Sequence, residues 1–172
     1  MMYNVDKTVD HVIDALAIFI QPFVGEAQII RAQVNRVPMP KFECVILTEL
    51  FQIDLETPSV YFKQDGDLNR FSNSKRIDVQ IDFYGEKSGD WCAAVNNCFK
   101  TSYATDVFPA GIQPLYLSDS RQTPMIGGEE QYVQRWTVTA SIQYNPNVDL
   151  PQDSADKLSL NFIEAIDVTN QI

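Results

Sequence analysis

Apolar residues recur at helical spacing near the start of the chain. Val5, Val9, Val12, Ile13, Leu16, Phe19 and Ile20 form one stripe, while Asp6, Lys7, Asp10 and Asp14 face away from it. The pattern predicts a helix from about Asn4 to Ile20, capped by Asn4 or Asp6 and ended by Pro22. His11, the only histidine, falls between stripe positions and reads as a surface residue.

Period-two patterns follow. Ile30, Ala32 and Val34 alternate with Arg31 and Gln33, before Pro38 and Pro40 force an extended crossing that no central strand tolerates. A long strand or hairpin arm is expected over Phe42 to Leu55, with Ser59 to Lys63 as its return and Asp65-Gly66-Asp67 as a turn. The clearest alternation runs from Arg76 to Gly85, with Ile77, Val79, Ile81 and Phe83 on one face. Asp78, Gln80, Asp82 and Tyr84 occupy the other, which reads as a solvated face. Trp91, Val95, Cys98 and Phe99 then mark a second helix from Ser88 or Asp90 to about Tyr103. A loop carrying Pro109, Gly111, Pro114, Pro124 and Gly127-Gly128 separates it from a strong strand, Tyr132 to Tyr144, stopped by Asn145-Pro146. Past Pro151 and an acidic linker, Leu158 to Val168 reads as a weaker terminal strand.

This order of elements implies an α+β, two-layer sandwich: a mixed, mostly antiparallel sheet with two main helices packed on one face. The 172 residues suit one domain spanning 1–172, with an extended C-terminal segment from about 150. No internal repeat is visible.

Charge narrows the function classes. The formal net charge is −10 and the pI about 4.4, which argues against a sequence-independent nucleic-acid binder and against adhesion to an anionic membrane. No stretch approaches the about 18 apolar residues of a membrane span. Lys7 is followed by acidic residues, so no secretory leader is expected. Cys44, Cys92 and Cys98 are too few for a disulfide scaffold and read as reduced thiols.

Candidate chemistry is sparse. Gly127-Gly128 lacks the Lys-Ser/Thr of a phosphate loop, and no G-x-G-x-x-G opens a helix. A lone histidine and the absence of G-x-S-x-G leave no nucleophilic triad, and no metal or cofactor site is expected. Asp78 and Asp82 share a strand face, with Glu129 and Glu130 nearby in sequence, so a small carboxylate-dependent hydrolase is the one enzymatic alternative; no basic partner stands beside them. The long loop between Pro114 and Arg135 carries Tyr116, Arg121, Met125 and Tyr132, residue types favoured at interfaces.

Three stretches resemble the phage neck terminator, or tail-completion, family. They are Arg31-Ala32-Gln33-Val34-Asn35-Arg36-Val37-Pro38-Met39-Pro40; Ile77-Asp78-Val79-Gln80-Ile81-Asp82-Phe83-Tyr84-Gly85 leading into Asp90-Trp91; and Pro114-Leu115-Tyr116 with Gly128-Glu129-Glu130-Gln131-Tyr132-Val133-Gln134-Arg135-Trp136 and Gln143-Tyr144-Asn145-Pro146. The resemblance implies a non-enzymatic structural protein of a tailed bacteriophage virion, assembled in the host cytoplasm. Such proteins cap the head-proximal end of the tail tube, typically as a hexameric ring, terminate tube polymerisation and join tail to head. The implied partners are copies of itself, the tail tube protein, the sheath of a contractile tail and the head-completion or connector protein, with DNA only passing through the lumen. A head-completion adaptor or tube-initiator ring is the alternative within the same virion.

A ring needs one surface of a subunit to meet a different surface of its neighbour, and sheet edges or extended arms do this by strand addition. The expected candidates are the Phe42 to Lys63 hairpin, the Gly128 to Arg135 loop and the terminal strand. Asn35, Tyr116, Glu129, Gln131, Tyr132 and Arg135 are expected at the ring interface, with Arg135 in an inter-subunit ion pair. Asp54, Glu56, Asp65 and Asp67 are expected at the lumen, where acidic side chains repel DNA.

Overall fold

Period-two alternation builds most of the molecule. The computed structural model describes residues 5–32, 43–63, 68–123, 125–126 and 132–152. In chain order these form β1 (Val5–Asp6), α1 (Val9–Val24), β2 (Gln28–Arg31), β3 (Cys44–Asp54), β4 (Ser59–Lys63), β5 (Leu68–Ser72) and β6 (Lys75–Tyr84). There follow α2 (Ser88–Phe99), α3 (Ser102–Val107), β7 (Ile112–Leu117), β8 (Arg121–Gln122), β9 (Met125–Ile126), β10 (Tyr132–Val133), β11 (Arg135–Tyr144) and β12 (Asn147–Pro151).

The first helix starts later and ends later than its stripe suggests. Thr8, in extended conformation, is the N-cap, and its backbone N–H donates to Nδ1 of the exposed His11 at 2.9 Å. Pro22 does not end the helix. It stands in the last turn, where its missing N–H removes a single ladder bond, and the helix closes at Gly25, whose φ of +62° suits glycine.

The main sheet has the order β2-β3-β6-β11-β7, with β8 also paired to β11. Among the described strands only β2 and β3 run parallel in it; the remaining pairs are antiparallel. One sheet face carries Val45, Leu47, Ile77, Val79, Ile81, Phe83, Val138, Ala140 and Ile142, all buried together with Val12, Leu16, Phe19 and Ile20 of α1 and Cys92, Val95 and Phe99 of α2. Phe19 is the hub: its ring centroid lies 5.5 Å from Phe23, 5.6 Å from Phe99 and 5.6 Å from Phe108. Gly89 lets α2 settle on the sheet, because a Cβ there would sit 3.1 Å from Nε1 of Trp136. The architecture is the expected α+β sandwich.

Two local expectations change. The stretch read as a loop before Arg135 contains β7 and β8, both paired to β11. Pro114 hid β7, which occupies the sheet's margin, where a strand can lack a donor. The segment Ser59–Lys63 is not the return of the strand before it. It runs onward as β4 and pairs with β5, while β3 pairs with β6. The true hairpin is longer and kinked: β3 and β4 form one arm, β5 and β6 the other.

The kink has visible causes. Residues 55–58 face only 73–74 across the hairpin, and the N–H of Leu55 donates to the carbonyl of Ser74 at 2.8 Å. The Ser74 N–H and hydroxyl both donate to Oε1 of Glu56, at 3.0 and 2.7 Å. Asp54 accepts from Asn73 at 3.0 Å and pairs with Lys75 at 3.1 Å. The third ribbon strand breaks at the same level: Asn145-Pro146 interrupts it, and the chain resumes as β12. Beyond the kink lies a smaller sheet of order β1-β12-β5-β4, an arm built by the same strands that form the body.

Candidate interaction surface

The two aspartates on the polar face of β6 are not solvated. Asp78 and Asp82 are only 5% and 3% exposed. Register explains this: β11 sets Ser141 opposite Asp78 and Thr137 opposite Asp82. The Ser141 hydroxyl donates to Asp78 at 2.7 Å, and Arg76 pairs with the same carboxylate at 3.1 Å. Asp82 Oδ1 accepts from Nε and Nη2 of Arg135 at 3.0 and 2.9 Å and from the Thr137 hydroxyl at 2.6 Å, while Oδ2 accepts from Gln80 at 2.8 Å. Arg135 also lies over the Tyr84 ring, 5.7 Å from its centroid. Four residues along a strand separate the two aspartates by about 13 Å, beyond the spacing of paired glycosidase carboxylates. These are buried charges held by their own sheet, as burial demands, and the pair proposed for hydrolysis has no free face. Among the described residues no three His, Cys, Asp or Glu side chains cluster as metal ligands.

Burial sets the character of the thiols as well. Cys44 and Cys92 are buried, and burial pushes the Cys92 thiol up to about 11. No helix among the described residues is long and apolar enough to cross a membrane.

The arm is the opposite case. Val5, Val148, Phe71 and Val60 are register partners across its four strands, so they share one face. Phe62 and Leu150 flank Asn69 two residues along, on that same face. The other face carries Tyr61, Arg70 and Asp149, where Asp149 accepts from Arg70 at 2.7 and 2.8 Å and pairs with Lys63 at 3.1 Å. The Arg70 guanidinium, with the Lys63 ammonium beside it, holds the Asp149 carboxyl down to about 2. The arm is thus amphipathic, yet no residue of its apolar face is buried: Val60 is 54% and Phe62 50% exposed. An apolar sheet face normally packs against a second layer.

The expected interface residues are distributed unevenly. Tyr116, on β7, is 51% exposed beside the equally accessible Leu115. Tyr132 belongs to β10, opposite Ile126. Arg135, expected to reach across a subunit boundary, has Asp82 of its own chain as its carboxylate. Asp54 and Glu56 are exposed and tie the kink. Asn35, Asp65, Asp67, Glu129 and Gln131 lie outside the described residues, as does the strand expected over 158–168.

Against known families, residues 10–171 match the model described as "Phage neck terminator protein". The chain belongs to the phage neck terminator family. Neck terminators are structural proteins of the bacteriophage virion. No curated protein matches this one in sequence. Among solved structures, it is similar at 12% identity to a chain of a "Virion of native gene transfer agent (GTA) particle", over 76% of this chain and 84% of that one, with a TM-score of 0.28.

The arm is the part of this neck terminator whose apolar face has no covering layer among the described residues. The sequence points to its neighbours, Asp54 and Glu56, and to the Phe42 to Lys63 stretch that includes Val60 and Phe62, but not to Phe71, Val148 and Leu150. The signal was present in the alternation of Ser59–Lys63 and Asn147–Pro151, but a face becomes visible only when strand partners are known.

Proposed function

We propose that this neck terminator assembles as a hexameric ring on the head-proximal end of the tail tube, stops further tube growth and docks the tail to the head connector. The observation that supports this reading is the uncovered apolar face of the arm in a chain whose family is a structural one. A soluble monomer rarely keeps such a patch unless another surface covers it. Exposed apolar residues also lie on an edge strand of each of two sheets: Val60 and Phe62 on β4, and Leu115 and Tyr116 on β7. A closed ring requires such a pair of unlike surfaces. Partners in this reading are further copies, the tube protein, the sheath of a contractile tail and the head-completion protein.

Tyr116 and Tyr132 are proposed at the ring contact, with Asn35, Glu129 and Gln131. Arg135 belongs there through the charge network it shares with Asp82. Asp54, Glu56, Asp65 and Asp67 are proposed to face the lumen, where they would keep DNA phosphates from adhering. Mass photometry of the purified protein with and without tail tubes tests the ring: particles of six times the 19.5 kDa monomer mass are expected on tubes. Imaging of tails made without the protein tests the role. Overlong tubes support termination, whereas tubes of normal length that fail to join heads indicate a head-side adaptor and reject it.

A further inference from the structure

We infer that the ring contact sets the β7–β8 margin of one copy against the β2–β3 margin of the next, with Tyr116 packed on Phe51 and Arg121 directed to the carboxylates of Glu26 and Glu43. This deepens the ring reading and rests on it. The main sheet runs from β2 to β7, so these are its two opposite margins, with β8 on the β7 side of β11. β2 covers β3 only from Cys44 to Leu47. Among the described residues no strand pairs with the outer side of β3 beyond that point. Phe51 lies on this open stretch, 50% exposed, and Tyr116 lies on β7, 51% exposed. They end one row of register partners, which runs through Asp78 and Ser141. The two rings therefore stand level and on the same sheet face, the one opposite α1 and α2. Each adjoins a bulge, which adds the similarly exposed Leu50 on β3 and Leu115 on β7.

A second pair of features repeats the match. Arg31, Arg70, Arg76 and Arg135 each pair with a carboxylate of their own chain. Arg121, exposed on β8, has no such partner among the described residues. Its row of register partners passes through Thr137, Asp82 and Ile46 and ends at Ile30 on β2. Two residues back along β2, Gln28 lines a groove of about 820 Å³ together with Phe23, Glu26, Glu43, Lys87 and Trp91. Two carboxylates against one ammonium make the groove acidic, and α1 ends there with no basic residue in its last turn. Carboxylates beside aromatic rings suit a guanidinium. Arg121 cannot enter the groove of its own subunit, because four strand spacings, about 19 Å, separate β8 from β2. Phe51 and Tyr116 of one chain are likewise about 14 Å apart. A second copy presents both complements at matching spacing: four residues, about 13 Å, separate the two rows on β6 and on β11 alike. Each subunit carries a net charge of −10, so a cation set against carboxylates also offsets repulsion between copies.

Cross-linking tests the aromatic contact on full-length protein in which Cys98 is replaced by serine, leaving only the buried thiols as background. Phe51→Cys and Tyr116→Cys are prepared as separate pools, mixed on tail tubes and treated with a short bismaleimide. A covalent dimer at twice the 19.5 kDa monomer mass is expected in the mixture and in neither pool alone. Chains carrying both substitutions should give a ladder that stops at six copies, because each contact is head-to-tail and the ring closes. The charged contact is tested by reversal. Arg121→Glu should abolish ring assembly, and adding Glu26→Arg and Glu43→Arg to it should restore the ring. Links within a single pool, no link in the mixture, rings that tolerate Arg121→Glu, or a triple variant that folds without assembling overturn the inference. Mass photometry of the unsubstituted protein on the same tubes separates the two failures. Six-copy particles without the cross-link leave the ring standing and remove this contact; absence of any oligomer removes both.

Discussion

Three strand paths run through both the body and the arm, and the two regions treat their apolar residues in opposite ways. In the body, the face bearing Val79, Ile81 and Val138 is sealed by α1 and α2. Beyond the kink the same paths continue as β4, β5 and β12, with an apolar face just as regular and none of it buried. Pairing and alternation therefore do not distinguish core from contact surface; the presence of a second layer does. In the body the second layer is part of the chain. In the arm none of the described residues supplies one.

A single side chain changed in each region makes the sharpest contrast. Phe19→Ala removes the hub of the aromatic cluster and is expected to lower stability by about 3–5 kcal/mol in chemical denaturation. Phe62→Ala, on the arm, is expected to change the monomer by about 0.5 kcal/mol or less while abolishing association with tail tubes. Equal losses of stability at the two positions would show that the arm is core rather than interface.

The buried charges fall between these extremes. Asp82→Ala leaves the guanidinium of Arg135 and the hydroxyl of Thr137 without their acceptor, at a cost of about 3 kcal/mol in the same denaturation measurement. The variant Arg135→Ala, paired with Asp82→Ala in a double-mutant cycle, should recover part of that loss, because the network acts as a unit. Strict additivity would mean that Arg135 has its main partner outside the subunit.

How much of this was legible beforehand depends on the element. The α1 stripe and the alternation of β6 and β11 were readable because each places apolar residues against a single layer. Asp78 and Asp82 were misread for a definite reason: alternation shows which residues share a face, and cannot show that β11 carries a serine, a threonine and an arginine in register to close that face over. β7 was hidden by Pro114, an obstacle in a central strand and none at a margin. The arm's apolar face was invisible because it is assembled from four separate segments, and a partner strand lies as far as 143 positions away in Val5 and Val148.

The smallest effect should appear in acid, and it tests whether the arm melts as part of the body. Asp149 joins β12 to β5 through Arg70, with Lys63 of β4 alongside, so its carboxylate ties three of the arm's four strands. Its folded pKa, about 2, is below the ordinary 3.8. A carboxyl depressed in this way stabilises the folded state above its unfolded pKa, and that contribution disappears as pH falls from about 4 towards 2. Asp149→Asn has no such group to titrate. The stability gap between the parent and Asp149→Asn should therefore be constant above pH 5 and close between pH 4 and 2. Hydrogen exchange places the effect: amides of β4, β5 and β12 should lose protection in this window before those of β6 and β11, because the arm lacks the helical layer that secures the body. Loss of protection at the same pH in both sets would mean that arm and body unfold as one cooperative unit.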